Sequence, residues 1–281
     1  MPELPEVEST RRALAADLEG QRILSAEVAR PRMVRRQENP ADFSRRLEGR
    51  TISRLHRHGK FLMADVGVAA DGPEFVWVTH LGMSGRIHLA SPGEVVAPHT
   101  NVTVRLGNDR EVRFVDPRTF GFVAAWTPEE LAETSLGDLG PDALTDLPSS
   151  RALHRALAGR RAPIKALLLD QRIVAGVGNI YADEALHRAA VSPHRAGGSL
   201  TTAEVQAVRA GVKASLAAGL KWGGTSLDDL AYLLPDGRAG EFTGRLRAYG
   251  REGDRCMRCG ATMRRDVIGQ RSSFWCPGCQ A

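Results

Sequence analysis

The four cysteines of this chain are confined to its last twenty-six residues, as Cys256-x2-Cys259 and Cys276-x2-Cys279 with sixteen residues between the pairs. Paired knuckles at that spacing are the pattern of a four-thiolate zinc site, with the intervening segment folded back as a hairpin. Two disulfides are the alternative, which an intracellular chain disfavours. Four thiolates fill a tetrahedral shell and leave no position for water, so the expectation is one structural Zn2+, with no catalytic role. The hairpin carries Arg264, Arg265 and Arg271. A metal-clamped segment this short has little core of its own, which suits it to holding a side chain rigidly against a partner, and Arg271 is the best placed. The plainer reading is that these arginines only solvate a surface.

The rest of the chain has ample material for a core. It is 281 residues long, 42% hydrophobic and 25% charged, with no apolar run near the length of a bilayer span and no basic-then-apolar leader. We therefore expect a soluble cytoplasmic protein with no membrane partner. Only four of its 38 basic residues are lysine: Lys60, Lys165, Lys213 and Lys221. Arginine's planar fork suits phosphates and base edges, so the bias permits nucleic-acid binding, although a genome rich in G and C gives the same bias.

Periodicity predicts an α+β chain in three parts. Pro5 to Leu18 reads as a helix, with acids at its electropositive end and Gly20 past its stop. From there to about Trp126, short β-branched or aromatic runs such as Phe75–Val78, Val102–Leu106 and Glu111–Val115 alternate with turn residues, as in a β-sandwich without interleaved helices. Beyond Thr127 the pattern turns helical, with Arg151–Gly159, Ile164–Gln171, Tyr181–Ala189 and Thr201–Leu220 the best segments. The expected domains are 1–130, 131–240 and 241–281, the last holding the cysteine hairpin.

A second chemical signal lies at the front. Pro2 follows the initiator methionine, a position where Met1 is normally trimmed, and trimming leaves a secondary amine. Such an amine attacking a sugar's aldehyde carbon gives an iminium with no proton to lose, so the charge stays as an electron sink. With generic pKa values of about 7.9 for an α-amine and 10.4 for lysine, roughly a quarter of the former is neutral at pH 7.4 against about 0.1% of the latter. Glu3 is one residue away and able to hand over a proton. A disordered tail at Pro2 and a helix-start acid at Glu3 are the plainer readings.

Five blocks together carry a resemblance: Pro2-Glu3-Leu4-Pro5-Glu6-Val7-Glu8, His80-Leu81-Gly82-Met83-Ser84-Gly85, Asp116-Pro117-Arg118-Thr119-Phe120-Gly121, Gly176-Val177-Gly178-Asn179-Ile180-Tyr181-Ala182, and the cysteine hairpin. In kind and order they resemble bacterial formamidopyrimidine-DNA glycosylases, and they run the length of the chain. The resemblance implies an N-terminal helix on a β-sandwich, a helix–two-turns–helix domain and a zinc-binding β-hairpin. It also implies a base-excision enzyme that removes oxidised purines, chiefly 8-oxoguanine and formamidopyrimidines, and then nicks the abasic site by β- and δ-elimination. Its partner would be double-stranded DNA containing oxidised bases or abasic sites, and the protein is expected to be a monomer.

On this resemblance the catalytic residues are Pro2 as nucleophile, Glu3 as proton donor, Lys60 for β-elimination and phosphate contact, and Arg271 for phosphate grip and δ-elimination. Met83, Arg118 and Phe120 would fill the hole left by a flipped base, although a methionine and a phenylalanine taken alone are more often core. Asn179, in a glycine-flanked turn, would reach a phosphate. His99, Arg160 or Arg161, and Lys165 match further DNA-backbone positions, and Glu6 and the Thr225–Phe242 loop match contacts to the damaged base. Glu241 stands before Phe242 where relatives carry an aromatic. Two other readings compete: an endonuclease VIII-type enzyme for oxidised pyrimidines, which usually has glycine where Leu4 stands, and a non-catalytic zinc-hairpin DNA-binding protein.

Overall fold

The computed structural model describes residues 2–226 and 232–281. The chain forms two compact units, one running to Asp138 and including Trp222–Glu241, the other made of Leu139–Lys221 and Phe242–Ala281.

The first unit opens with helix α1 (Leu4–Leu18), whose N-cap is Glu3 and whose exit is marked by Gly20 at φ +81°. Val7, Leu14 and Leu18, at helical spacing, are fully buried. Eight strands follow: β1 (Ile23–Val28), β2 (Ile52–His58), β3 (Phe61–Val66), β4 (Phe75–His80), β5 (Arg86–Ala90), β6 (Thr100–Leu106), β7 (Glu111–Val115) and β8 (Phe122–Trp126). They form two antiparallel four-stranded sheets, ordered β1-β6-β7-β5 and β2-β3-β4-β8. One apolar core joins both sheets to α1, with Leu14, Ile52, Leu62, Trp77, Val104 and Phe114 among its members.

The strand signal concealed a helix, which corrects the expectation of an uninterrupted sandwich. Helix α2 (Pro40–Leu47) starts at Asn39, whose side chain accepts from the Ala41 N–H at 2.9 Å. Pro40 has no N–H to leave unpaired in the first turn, and Phe43 and Leu47, four residues apart, are fully buried. The short helix α3 (Pro128–Glu133) closes the run, with Thr127 and Glu130 forming a reciprocal capping box.

The second unit carries α4 (Ser150–Leu157), α5 (Ile164–Leu169), α6 (Asn179–Ala189) and α7 (Thr202–Lys221), each within two residues of its sequence-based bounds. Helices α6 and α7 approach closely because α7 presents glycines. A Cβ on Gly219 would lie 2.3 Å from the Tyr181 hydroxyl, and one on Gly211 2.4 Å from the Ala185 carbonyl. Tyr181 in turn stacks on Phe242 at 5.8 Å. Strands β9 (Arg264–Ile268) and β10 (Arg271–Trp275) form the terminal hairpin, pairing Ile268 with Arg271 across a two-residue turn in which Gly269 and Gln270 both have positive φ.

Leu14→Ala is expected to lower stability by about 2–5 kcal/mol by opening a cavity under α1. Leu24→Ala, at a 57% exposed position, should change it by less than about 0.5 kcal/mol. Denaturant midpoints of the two variants check the contrast.

Candidate functional site

The head of α1 is fixed from two directions. Glu3 is 1% exposed and extended at the N-cap, and its N–H donates to Glu6 Oε2 at 2.8 Å, part of a capping box between the two residues. Glu6 is fully buried, and its other oxygen, Oε1, accepts from the Thr225 N–H at 2.7 Å. That approach depends on Gly224 at φ +87°, where a Cβ would lie 2.8 Å from Glu6 Cγ. Tyr232 donates its hydroxyl to the Glu6 carbonyl at 3.1 Å, and burial pushes its pKa up. Pro2 is buried immediately before Glu3. Glu6, expected at the damaged base, thus supports the backbone at Gly224 and Thr225. Residues 227–231 of the expected Thr225–Phe242 loop lie outside the described residues, as does Met1, whose removal the amine chemistry requires.

Lys60 sits in the β2–β3 turn, after Gly59 at φ +57°. Across the sheet His80 lies against Phe61 at 4.9 Å and stacks on Phe122 at 5.7 Å, and its Nδ1 accepts from the Gly82 N–H at 3.2 Å. Burial, reinforced by Lys60, Arg36 and Arg35, lowers the His80 pKa to about 4. Its ring is therefore neutral at pH 7, with the proton on Nε2. Lys60, Arg35 and Arg36 give this surface a positive charge that suits a polyanion.

The two motif loops beyond His80 are fastened together by Asp116, which is fully buried. Its carboxylate accepts from the Ser84 hydroxyl at 2.6 Å, the Gly121 N–H at 2.8 Å and the Arg118 N–H at 3.2 Å. The loops touch backbone to backbone, since a Cβ on Gly82 would lie 2.4 Å from the Gly121 nitrogen. Arg35 donates to the Phe120 carbonyl at 3.0 Å and to that of Gly121 at 2.6 Å. The result is a rigid mount for exposed side chains. Phe120 is 44% exposed, so it is not core, and the Arg118 guanidinium lies 4.8 Å from its ring centre. Met83 is half-buried in the partner loop. His99 is exposed at φ +64°, with its carbonyl accepting from the Asp116 N–H at 3.0 Å.

In the second unit, three side chains grip the backbone of β10. Lys165 Nζ donates to the Ser272 carbonyl at 2.7 Å and pairs with Asp183 at 2.7 Å. Asn179, the first residue of α6, donates to the same carbonyl at 3.0 Å. Asp183 accepts from the Phe274 N–H at 2.9 Å. Burial pushes the Asp183 carboxyl up to about 7 even beside Lys165. Lys165, expected at the DNA backbone, is fully buried, with its Nζ directed at the hairpin and at Asp183. Arg271 begins this gripped strand and is exposed. Arg160 and Arg161 are exposed beyond α4, Arg160 donating to the Ala156 carbonyl at 3.0 Å. Sequence reasoning missed Asp116 and Asp183 as organisers, because an acid in a turn or helix carries no local sign of burial.

The cysteine sulfurs all lie within 4.8 Å of one another, with Cys259 and Cys276 3.4 Å apart and Cys256 and Cys279 3.9 Å apart. Tetrahedral zinc with bonds of about 2.3 Å requires sulfur separations of about 3.8 Å, so the set fits one structural zinc. His187 Nε2 and the Arg258 N–H approach Cys256 Sγ at 3.3 and 3.4 Å, as outer donors to a thiolate.

Three family models match the chain: the formamidopyrimidine-DNA glycosylase N-terminal domain over residues 1–123, the H2TH domain of the same proteins over residues 139–230, and a zinc finger found in FPG and IleRS over residues 253–281. The formamidopyrimidine-DNA glycosylase of Xanthomonas euvesicatoria pv. vesicatoria (strain 85-10) is 40% identical over 280 residues, spanning 100% of both chains. Among solved structures, the MutM (Fpg) protein of Thermus thermophilus is 39% identical with a TM-score of 0.87, covering 99% of this chain and 98% of that one. Lactococcus lactis Fpg in complex with DNA containing an abasic site is 31% identical with a TM-score of 0.88, covering 99% of each chain. A variant of the same Lactococcus protein bound to Fapy-dG-containing DNA is 31% identical with a TM-score of 0.89 and equal coverage.

Two outcomes follow from this geometry. The unfolded chain protonates its histidine near pH 6.5 while folded His80 resists until about 4. Stability present at neutral pH is therefore lost as pH falls through that window, by at most about 3 kcal/mol and less where solvent reaches the ring. His80→Gln should flatten that part of the acid-unfolding curve. Chelation is expected to release about one zinc per chain and unfold the hairpin while the far-UV helical signal of α4–α7 persists. Loss of that signal in step with the metal would contradict a separately clamped module.

Proposed function

The chain belongs to the formamidopyrimidine-DNA glycosylase family, and from that premise we propose how its own residues perform base excision and strand nicking. It is a DNA repair glycosylase with abasic-site lyase activity, acting on DNA that carries damaged bases or abasic sites. The observation that carries the residue assignment is the position of Glu3, buried and locked at the head of α1 with Pro2 directly before it.

Once Met1 is removed, the Pro2 nitrogen attacks C1′ of the damaged nucleoside. The N–C1′ bond forms as the glycosidic bond breaks, and the base leaves with that electron pair and a proton. Glu3 protonates the ring oxygen as the sugar opens, leaving a positively charged iminium between Pro2 and C1′. The iminium acidifies C2′. Removal of a C2′ proton, assigned to Lys60, expels the 3′ phosphate, and a second elimination expels the 5′ phosphate while Arg271 holds the departing group. Lys165, Asn179 and Asp183 serve this step from behind by fixing the backbone beside Arg271. The zinc, held by Cys256, Cys259, Cys276 and Cys279, supplies rigidity to the hairpin and no chemistry.

Flipping the target base leaves a hole in the stack. We assign Met83 and Phe120 to fill it and Arg118 to face the orphaned base, on the strength of their exposed mount over Asp116. His99, Arg160 and the Asn179 turn are assigned to the DNA backbone, and Glu6 to the support of the base-covering loop. Oxidised purines are the proposed substrates, with Leu4 and the Met83–Arg118–Phe120 set favouring them over pyrimidines. The protein is further proposed to act as a monomer in the cytoplasm.

Borohydride reduction on an 8-oxoguanine duplex should give a covalent protein–DNA adduct with the native protein. No adduct should form with Pro2→Gly carrying an N-terminal extension. Absence of an adduct from the native protein on every damaged duplex would refute the amine mechanism.

A further inference from the structure

The turn that carries Lys60 is held by a charge cluster that the reaction scheme above does not use. Arg57 lies at the end of β2 with its side chain only 2% exposed. Its Nη1 donates to the carbonyl of Gly59, one residue before Lys60, at 2.7 Å. Its Nε donates to Glu8 Oε2 at 3.3 Å, and the Glu8 side chain is 7% exposed. Glu8 sits on the second turn of α1, the helix whose head carries Pro2 and Glu3.

Glu8 also receives both ends of the Arg11 fork, each at 3.0 Å, and the Arg12 Nε at 2.8 Å. Arg11 reaches on to the Leu55 carbonyl of β2 at 3.3 Å. Burial works to raise the Glu8 pKa, but the hydrogen bonds from Arg11 and Arg12 and the charge of Arg57 outweigh it and hold the carboxylate ionised. One buried anion thus gathers three guanidiniums. Two of these, Arg11 and Arg57, also bond backbone carbonyls of the β2 strand and its turn.

A pair this dry is weak evidence for net stability, since desolvating both charges offsets much of their attraction. What the pair provides is a fixed spacing. The path from α1 through Glu8 and Arg57 to the Gly59 carbonyl is short and made of charge-assisted bonds, which are directional. Gly59 itself has the positive φ at which a turn is free to swing, so its carbonyl needs a partner to hold one orientation.

We propose that Glu8 and Arg57 are positioning residues that set the Lys60 turn at a fixed distance from the Pro2 amine, so that losing the pair slows β-elimination far more than iminium formation. The inference rests on the role assigned above to Lys60. Neither residue touches the substrate.

The test uses the full-length protein and a duplex with a preformed abasic site. Elimination is followed in single turnover, and the iminium by borohydride trapping on the same duplex. Arg57→Met keeps the stem and removes the donor. It should slow elimination by about tenfold or more, the scale on which misplacing a reacting group acts, with trapped adduct changed by less than about twofold. Arg57→Lys restores one cationic donor and should recover most of the rate. Glu8→Gln reaches the same pair from the helix side and should reproduce the loss, giving a second route if Arg57→Met folds poorly. Unchanged elimination in folded Arg57→Met or Glu8→Gln, or adduct falling as far as elimination, would overturn the proposal. Lys60→Ala separates the two readings. If elimination is unchanged by it, the role of Lys60 fails and the positioning role with it. If elimination is lost with Lys60→Ala but kept with Arg57→Met, only the positioning role fails.

Discussion

The carboxylate of Asp116 is fully buried, and the donors that face it come from two loops: the Ser84 hydroxyl from one, the Arg118 and Gly121 N–H groups from the other. A buried ionised carboxylate is costly unless hydrogen bonds replace its water, and each bond to a charged acceptor contributes about 1.5–3 kcal/mol. The charge therefore fixes the loops as firmly as a core would, without requiring them to be apolar. The same arrangement recurs. Glu6 Oε1 holds the Thr225 N–H, Asp183 holds the Phe274 N–H, and Glu184 Oε1 accepts from the N–H groups of Arg247, Ala248 and Tyr249 at 2.8, 2.7 and 3.2 Å. Segments that present polar side chains to solvent cannot be anchored by hydrophobic contacts of their own, and buried acids hold them instead.

Much of the scaffold was legible because its signals are local. The cysteine pairs carry their geometry in their spacing, and the sulfurs converge as zinc requires. Helix α1 announces itself through Pro5, Glu6 and Gly20, and α4 to α7 through apolar periodicity, each a property of a few neighbouring residues. The element order from helix to sandwich to helices to hairpin follows from those signals alone. Helix α2 was lost because eight residues give too little periodicity to stand out among strands, although Asn39-Pro40 and the Phe43–Leu47 spacing mark it.

What the sequence leaves out of the candidate site is the environment of each side chain. Phe120 and Met83 look like core residues, and only the mount over Asp116 turns Phe120 outward. Lys165 looks like a surface cation. It is buried because Asp183, eighteen positions away, is placed opposite by the packing of α5 and α6. Glu6 looks like one more acid at a helix start, and its second partner, Thr225, lies 219 positions further on. In each case the missing information is a long-range partner, which no local pattern encodes.

Trp222–Glu241 belongs to the first unit although it follows the last long helix of the second, so neither unit is a continuous stretch of polypeptide. Domains emerging from a ribosome generally fold as they appear, N-terminal parts first. Here the sandwich can assemble early, but the backbone group that engages Glu6 is synthesised only after α7. A nascent or prematurely ended chain exposes the leading end of α1 without that support, which is complete only when translation is almost finished.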